Sequence, residues 1–299
     1  MPVFVTGASG FIGSAIVPEL VAAGHQVTGL ARSDAAATAI AAAGATVRRG
    51  ELTDLEGLRR AAAESDGVIH TGFIHDFSNF KAVCEIDRRA IEALGSGLLG
   101  TDQPLVVTSG SALVAPGRLA TERDAPSISS AEMPRIATDE AVASVTAKGV
   151  HAIEVRNPPS VHGEGDHGFV PALIRLAREK GVSAFVGDGK NRWPAVHRLD
   201  SAHLYRLALE KGGTGARYHA VAEQGIAFRE IADAIGRHLQ LPVVSKSPEQ
   251  AADHFGWIAR FVSVDCPASS QMTREALGWT PTQPGLIADL DGTPRYFAT

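Results

Sequence analysis

The sequence predicts an α/β fold: a doubly wound parallel sheet followed by a smaller C-terminal region. Three observations carry this expectation. An apolar run, Pro2-Val-Phe-Val-Thr6, meets three glycines spaced by two residues each, Gly7, Gly10 and Gly13, and a helix-period pattern (Phe11, Ile12, Ile16, Val17, Leu20) follows at once. Short apolar runs then alternate with helix-period segments as far as residue 157, the signature of a parallel sheet with crossover helices. The length, 299 residues with 44% hydrophobic and 20% charged, supports a substantial core.

The first element is strand, glycine turn, helix, the Rossmann-type phosphate cradle. Glycine permits the tight turn at the first position, close approach of a pyrophosphate at the second and helix-on-strand packing at the third, so the helix N-terminus aims free N–H groups at the anion. Thr6, Gly7, Gly10, Phe11, Ile12 and Gly13 are the cofactor-binding candidates here. The second strand, Gln26 to Ala31, ends in Arg32 and Ser33 where an NAD site carries an acid for the ribose 2′-hydroxyl. Arginine suits a 2′-phosphate, so NADP(H) is favoured over NAD(H). A glycine turn that binds nothing and a solvated Arg32 are the plainer alternatives.

The run Thr6-Gly-Ala-Ser-Gly-Phe-Ile-Gly13 resembles the threonine-glycine-x-x-glycine-x-x-glycine signature of extended and atypical short-chain dehydrogenases/reductases, the group that includes nucleotide-sugar epimerases and dehydratases. The resemblance covers roughly residues 2 to 280.

Next come a helix over about 34–43, a strand over 45–49, and Asp54 before a helix over 55–63. Asp54 suits a helix cap; the resemblance also implies an adenine contact there, with Leu55 beside it. The strand Gly67 to Thr71 opens into Thr71, Gly72 and His75, and a helix follows over about 77–98. Pro104 to Ser111 reads as a buried strand ending in Ser109 and Ser111, then a helix over about 133–147 and a strand over 151–156 reaching Asn157 and Pro158. Ligands of such sheets lie beyond the carboxyl ends of the strands, so the loops after residues 6, 32, 72, 108 and 156 should line one cleft. Residues 1–157 form the NAD(P)-binding domain in this reading. Residues 158–299 form the substrate-binding region, interleaved with the main sheet.

Beyond Asn157 the resemblance implies a glycine-rich turn at 161–168 before a helix over 172–180, a hairpin at Val186-Gly-Asp188-Gly, and a Val196-His-x-x-Asp200 segment with Asp200 capping a helix over 201–210. Helices are expected over 228–239 and 273–277. Phe169, Trp193, Phe255 and Trp257 supply an apolar substrate wall if they face the cleft.

A net charge of −5 gives no general reason to expect nucleic acid. Cys84 and Cys266 fit no zinc spacing and read as free thiols of a reducing compartment. No apolar run spans a bilayer and no basic leader precedes the first strand, so a cytoplasmic protein without membrane partners is expected. The resemblance implies a possible homodimer.

The family's redox pair, Tyr-x-x-x-Lys, is missing: Tyr205, Tyr218 and Tyr296 have no lysine four residues on, and no phenol stands between Glu132 and Glu140, its expected place. Ser111 matches the family's catalytic serine and Ser109 its cofactor-side neighbour. A serine hydroxyl polarises a carbonyl but is a poor proton source. His75, His162 and His167 are the candidate proton donors, because histidine titrates near neutrality; each is otherwise a surface or packing residue. Arg123 and Arg135 are candidate anion contacts or solvated cations. His162, Asp166 and His167 lack a separate further ligand, so no metal is expected. These readings lead to an NADP(H)-dependent oxidoreductase reducing a carbonyl or related unsaturated group of a small, partly apolar molecule. An epimerase or dehydratase holding its nicotinamide tightly, and a non-catalytic NADP-binding sensor or scaffold, are the rivals.

Overall fold

The computed structural model describes residues 1–298. Its strands, in chain order, are β1 (Pro2–Thr6), β2 (Gln26–Ala31), β3 (Thr46–Arg49), β4 (Gly67–His70), β5 (Leu105–Gly110), β6 (Ala152–Asn157), β7 (Ser160–His162), β8 (Ser183–Val186), β9 (Arg192–His197), β10 (Arg217–His219), β11 (Glu223–Ala227) and β12 (Val243–Lys246). The α-helices are α1 (Gly13–Ala22), α2 (Asp34–Ala42), α3 (Leu55–Ala63), α4 (Phe80–Gly97), α5 (Ala137–Ala147), α6 (Phe169–Lys180), α7 (Arg198–Lys211), α8 (Phe228–Leu239), α9 (Pro248–Phe255), α10 (Ala259–Val262), α11 (Gln271–Leu277) and α12 (Leu286–Gly292).

Seven strands form one parallel sheet in the order β10-β6-β5-β4-β1-β2-β3. The chain moves outward one way from β1 to β3 and the other way from β4 to β10, so the direction reverses between β1 and β4. That reversal opens a crevice at the carboxyl ends of the strands, where such sheets hold ligands. The doubly wound α/β architecture expected from the alternation is the one found.

Burial on both faces explains why these strands read as continuous apolar runs. Val3, Val5, Val106, Ile153 and Val155 pack against Ile16, Val17 and Leu20 of α1 and Leu204 and Tyr205 of α7. Their alternates Phe4, Val68, Leu105 and Val107 pack against Leu58 of α3, Ile91 and Leu94 of α4 and Val142 and Val145 of α5. A third core joins α6, α8, α9 and α12 to β8 and β9. Around it lie the three-stranded sheet β11-β9-β7 and the parallel pair β12-β8. Because α7 packs on the main sheet and β10 forms its edge, the second half of the chain is laced into the first. Among the described residues no helix is long and apolar enough to cross a membrane.

Several local expectations need correction. The Val186–Gly189 segment is no hairpin: β8 pairs with β12 and β9 with β7 and β11, because Gly187 and Gly189, at φ of 62° and 67°, turn the chain out of one sheet into another. Helix α6 starts at Phe169, before the expected Ala172. Asp200 is not a cap; α7 starts at Arg198, with His197 Nδ1 accepting from the Leu199 N–H at 3.2 Å. Asp200 instead accepts the N–H groups of Thr282 at 2.9 Å and Gln283 at 3.0 Å, pinning the C-terminal stretch to α7. Trp193 and Phe255, 1% and 2% exposed, belong to the C-terminal core rather than to a substrate wall.

Replacing Asp200 by Ala leaves two partly buried N–H groups without acceptors, at about 1–3 kcal/mol for each. Urea unfolding of Asp200→Ala should show a loss of roughly 2–4 kcal/mol; an unchanged midpoint would refute the pinning role.

Candidate active site

The glycine turn is fixed by backbone contact. Gly7 has φ of +68°, and a Cβ there would lie 2.7 Å from the Gly72 nitrogen and the Thr71 carbonyl carbon. A Cβ on Gly13 would lie 2.1 Å from the Gly7 carbonyl oxygen. Both positions therefore exclude any side chain, and α1 is brought hard against β1. The Gly10 N–H is used within the turn, donating to the Gly7 carbonyl at 2.8 Å. Among the described residues the N–H groups of Phe11, Ile12 and Gly13 find no acceptor, and no side chain caps α1. An uncapped helix N-terminus with free donors is the arrangement that binds a phosphate, so the turn fits a dinucleotide.

Arg32 is exposed and makes no ion pair among the described residues. Ser33 caps α2, accepting from the Ala36 N–H at 3.2 Å, and Asp34 beside it is paired with Arg49 of β3. Asp54 caps α3, accepting from the Gly57 N–H at 3.0 Å, and Leu55 is 38% exposed. On the cleft side Leu52 comes forward instead: its δ-methyl lies 3.1 Å from where a Cβ of Gly72 would stand.

A buried polar chain crosses the floor of the cleft. The Gly72 N–H donates to Thr6 Oγ1 at 3.1 Å, and Thr6 Oγ1 meets His70 Nδ1 at 2.7 Å. His70 Nε2 meets Asp87 Oδ1 at 3.1 Å, and Arg135 donates to Asp87 Oδ2 at 2.9 Å. The tautomer that completes the chain has Thr6 donating to Nδ1 and Nε2–H donating to the carboxylate. Against the opposing effect of burial, Arg135 and the bonds from His70 and Thr138 hold the Asp87 carboxyl below its ordinary value. Thr71 closes the same junction, donating its hydroxyl to the Thr6 carbonyl at 2.8 Å.

In the stretch between Glu132 and Glu140, where the resemblance leads one to expect a Tyr-x-x-x-Lys pair, Arg135 and Asp139 project four residues apart toward the end of β5. Arg135 reaches the Thr108 carbonyl at 3.3 Å and lies over the Phe73 ring at 4.4 Å. Asp139 accepts from Ser109 Oγ at 3.0 Å and from the fully buried Arg156 at 3.3 Å. Burial first and Asp139 second push the neighbouring Glu154 carboxyl up to about 7, against the pull of Arg156. The Ser109 hydroxyl is thus committed behind the cleft. Ser111, next along the chain, is 1% exposed and its Oγ has no partner among the described residues. The three phenols are engaged elsewhere: Tyr205 with Thr108 at 2.6 Å, Tyr218 with the Gly213 N–H at 3.2 Å, and Tyr296 with the Gly163 N–H at 2.7 Å. Asn157 is also spoken for, donating to Tyr205 at 2.7 Å and accepting from Ser201 at 2.8 Å; Pro158 beside it is buried.

The candidate histidines separate. His75 is accessible in the cleft, its ring 5.2 Å from Phe73; partial burial first, then the charges of Arg135 and His167, hold its imidazole below the ordinary 6.5. His167 is exposed and meets the Phe11 ring edge-on at 5.7 Å. His162 is fully buried, with Nδ1 on Asp289 Oδ2 at 2.8 Å and its ring against His197 at 5.4 Å, so it occupies a packing position behind the loop. Among the described residues no three His, Cys, Asp or Glu side chains converge on a metal position. Beyond Ser111, Phe169 contacts Trp257 at 5.9 Å and Phe261 at 5.0 Å, and Ala112 packs on this aromatic core.

Residues 3–221 match the NAD dependent epimerase/dehydratase family. An uncharacterized protein of Schizosaccharomyces pombe is 50% identical, the alignment spanning 99% of this chain and 100% of the relative. A 2-alkyl-3-oxoalkanoate reductase of Stenotrophomonas maltophilia is 28% identical, over 83% of this chain and 78% of the relative. In fold the chain is similar to a dTDP-glucose 4,6-dehydratase from Streptomyces venezuelae solved with NAD bound, with a TM-score of 0.79, 19% identity and coverage of 99% and 97% of the two chains.

Burial raises the Asp166 carboxyl to about 6, against the Gly168 N–H bond and the charges of His167 and His162. Between the ordinary 3.8 and about 6 the folded chain holds a proton that the unfolded chain releases, so this group's contribution to stability falls as pH rises through that window and stays low above it. Asp166→Asn keeps an acceptor for Gly168 and removes the charge. It should raise unfolding stability by about 2 kcal/mol at about pH 7.5 and by almost nothing at about pH 4; urea titrations that show a loss at both would refute it.

Proposed function

The chain belongs to the NAD dependent epimerase/dehydratase family, and from that premise we propose that it is an NADP(H)-dependent oxidoreductase reducing a carbonyl group of a small, partly apolar molecule. One observation carries the reading: a buried Ser111 hydroxyl without a partner among the described residues stands at the same carboxyl end of the parallel sheet as a glycine turn with three uncommitted N–H groups. An unpartnered buried hydroxyl costs about 1–3 kcal/mol, and at a strand end in the cleft a substrate oxygen is a partner that would relieve that cost. The bound nicotinamide supplies hydride.

The turn at Gly7 to Gly13 holds the pyrophosphate, and Arg32 with Ser33 receives the 2′-phosphate. Arginine offers a planar fork of donors that matches phosphate, and no acid occupies that strand end to repel it. Ser111 donates to the carbonyl oxygen and so favours negative charge developing there, while Arg135, its charge met by Asp87, is held at the Thr108 carbonyl. Arginine does not give up a proton near neutrality, so His75, three groups along the stack Arg135–Phe73–His75, delivers it. Phe169, Trp257 and Phe261 face the rest of the substrate with apolar surface. The resemblance to a 2-alkyl-3-oxoalkanoate reductase supports a ketone with apolar chains. A reversed charge pattern at the dyad position disfavours the epimerase reading, which needs a base at that position.

Calorimetric titration of the apo-protein should give NADPH and NADP+ at least tenfold tighter binding than NADH and NAD+, about 1.4 kcal/mol. Arg32→Ala should erase that difference; equal affinities in the wild type would remove the NADP assignment.

With NADPH and a panel of β-keto esters, Ser111→Ala should lower kcat by roughly 10²-fold or more. In the wild type kcat/KM should fall with rising pH through a midpoint below 6.5, and His75→Gln should flatten that limb. Binding without turnover on any carbonyl would favour a sensor or scaffold.

A further inference from the structure

We propose that Arg198, carried in from the C-terminal region, is the second half of the dinucleotide's pyrophosphate site; this rests on the cofactor reading of the glycine turn. A pyrophosphate brings two negative charges. The turn offers it backbone N–H groups and no cation, since no Lys or Arg precedes Arg32 in the chain. The strand-end loops Thr71 to His75 and Thr108 to Ser111 hold none either. Of the guanidinium groups at the cleft, Arg135 is neutralised by Asp87.

Arg32, also unpaired, stands at the end of β2 where the 2′-phosphate is assigned; Arg198 is the unpaired cation that lies against the turn itself. Its Cζ lies 5.3 Å over the Phe11 ring, and Phe11 contributes one of the three free N–H groups of the turn. The side chain is half-buried and makes no hydrogen bond or ion pair among the described residues. Its stem is positioned by the glycine-rich loop opposite: a Cβ on Gly163 would stand 3.2 Å from Arg198 Cγ, and one on Gly165 3.9 Å from Nη1. That loop also brings His167 edge-on to Phe11.

The placement works against local stability. Arg198 is the first residue of α7, where the helix dipole disfavours a cation. The acid of that first turn, Asp200, has its carboxylate occupied by the Thr282 and Gln283 N–H groups. A half-desolvated cation at a helix N-terminus, without a carboxylate, over the one loop that offers free donors to an anion, is explained by an anion that both contact. Arg198 thereby couples the C-terminal region to the occupied nucleotide site. It should act on every dinucleotide alike, because the pyrophosphate is common to all of them.

Two variants test this: Arg198→Met, which keeps the apolar stem, and Arg198→Lys, which keeps the charge. Each is titrated with NADPH, NADH and 2′-AMP, the last carrying the 2′-phosphate without a pyrophosphate. The expected result for Arg198→Met is a roughly tenfold rise in Kd for NADPH, the same factor for NADH, and a 2′-AMP affinity within about twofold of wild type. Arg198→Lys should retain most of the dinucleotide affinity. The ligand-free Met variant should unfold at or above the wild-type temperature, since an unfavourable charge has gone. Unchanged NADPH binding in Arg198→Met, an equal loss for 2′-AMP, or a marked fall in ligand-free stability overturns the proposal while leaving the cofactor reading intact. A wild-type chain that binds neither dinucleotide overturns both.

Discussion

Backbone meets backbone at the junction of β1 and β4, and the depth of the cleft follows from that contact. With φ of +68° and no room for a Cβ, Gly7 lets the turn lie directly on the Thr71–Gly72 peptide. The glycine at 13 then allows α1 to rest on Gly7 itself. A methyl group at either place would force the helix off the strand and turn its N–H groups away from the crevice. The polar chain from Gly72 through Thr6, His70 and Asp87 to Arg135 starts at this same junction. One steric constraint thus sets the anion-binding end of the cleft and, through hydrogen bonds, the position of the guanidinium at the other end.

That chain accounts for how a cation is accommodated beside the end of β5. A guanidinium tucked against β5 would be costly to bury alone; Asp87 supplies its counter-charge, and His70 and Thr138 complete the carboxylate. Asp139 is in turn balanced by Arg156. Arg156 also meets Glu154, so Asp139, Arg156 and Glu154 form one buried cluster and Arg135, Asp87 and His70 another.

The sheet, its order of elements and the glycine turn were legible because each rests on local rules: burial on both faces gives apolar runs, and steric exclusion demands glycine. Asp54 as a helix cap was legible for the same reason. The pairing of Arg135 with Asp87, 48 residues apart, had no local signal, since a charged residue on an amphipathic helix reads as solvated. His162 and His75 looked alike in sequence, each following a strand in a glycine-bearing loop, and only packing against Asp289 and His197 distinguishes the first. Trp193 and Phe255 were similarly ambiguous, because an aromatic residue fits a core and a substrate wall equally well. Leu52 and Arg198 could not be placed from periodicity, because each approaches the turn from an element distant in the chain.

The two cations that flank the cleft lie over rings, Arg135 over Phe73 and Arg198 over Phe11, but their electrostatic settings differ. A ring face partly replaces water around a guanidinium without cancelling its charge. Arg135 carries a carboxylate as well, so the end of the cleft near Ser111 is close to neutral overall. Arg198 carries none, so the end near Phe11 is positive. On the proposed reading, a cleft polarised in this way orients the dinucleotide with its pyrophosphate at Phe11 and its nicotinamide toward Ser111. It also leaves the Ser111 end, backed by Ala112 and the Phe169–Trp257–Phe261 layer, without spare positive charge for a phosphorylated substrate. The same charge distribution supports the proposed reading, a dinucleotide at one end and an uncharged, apolar carbonyl compound at the other.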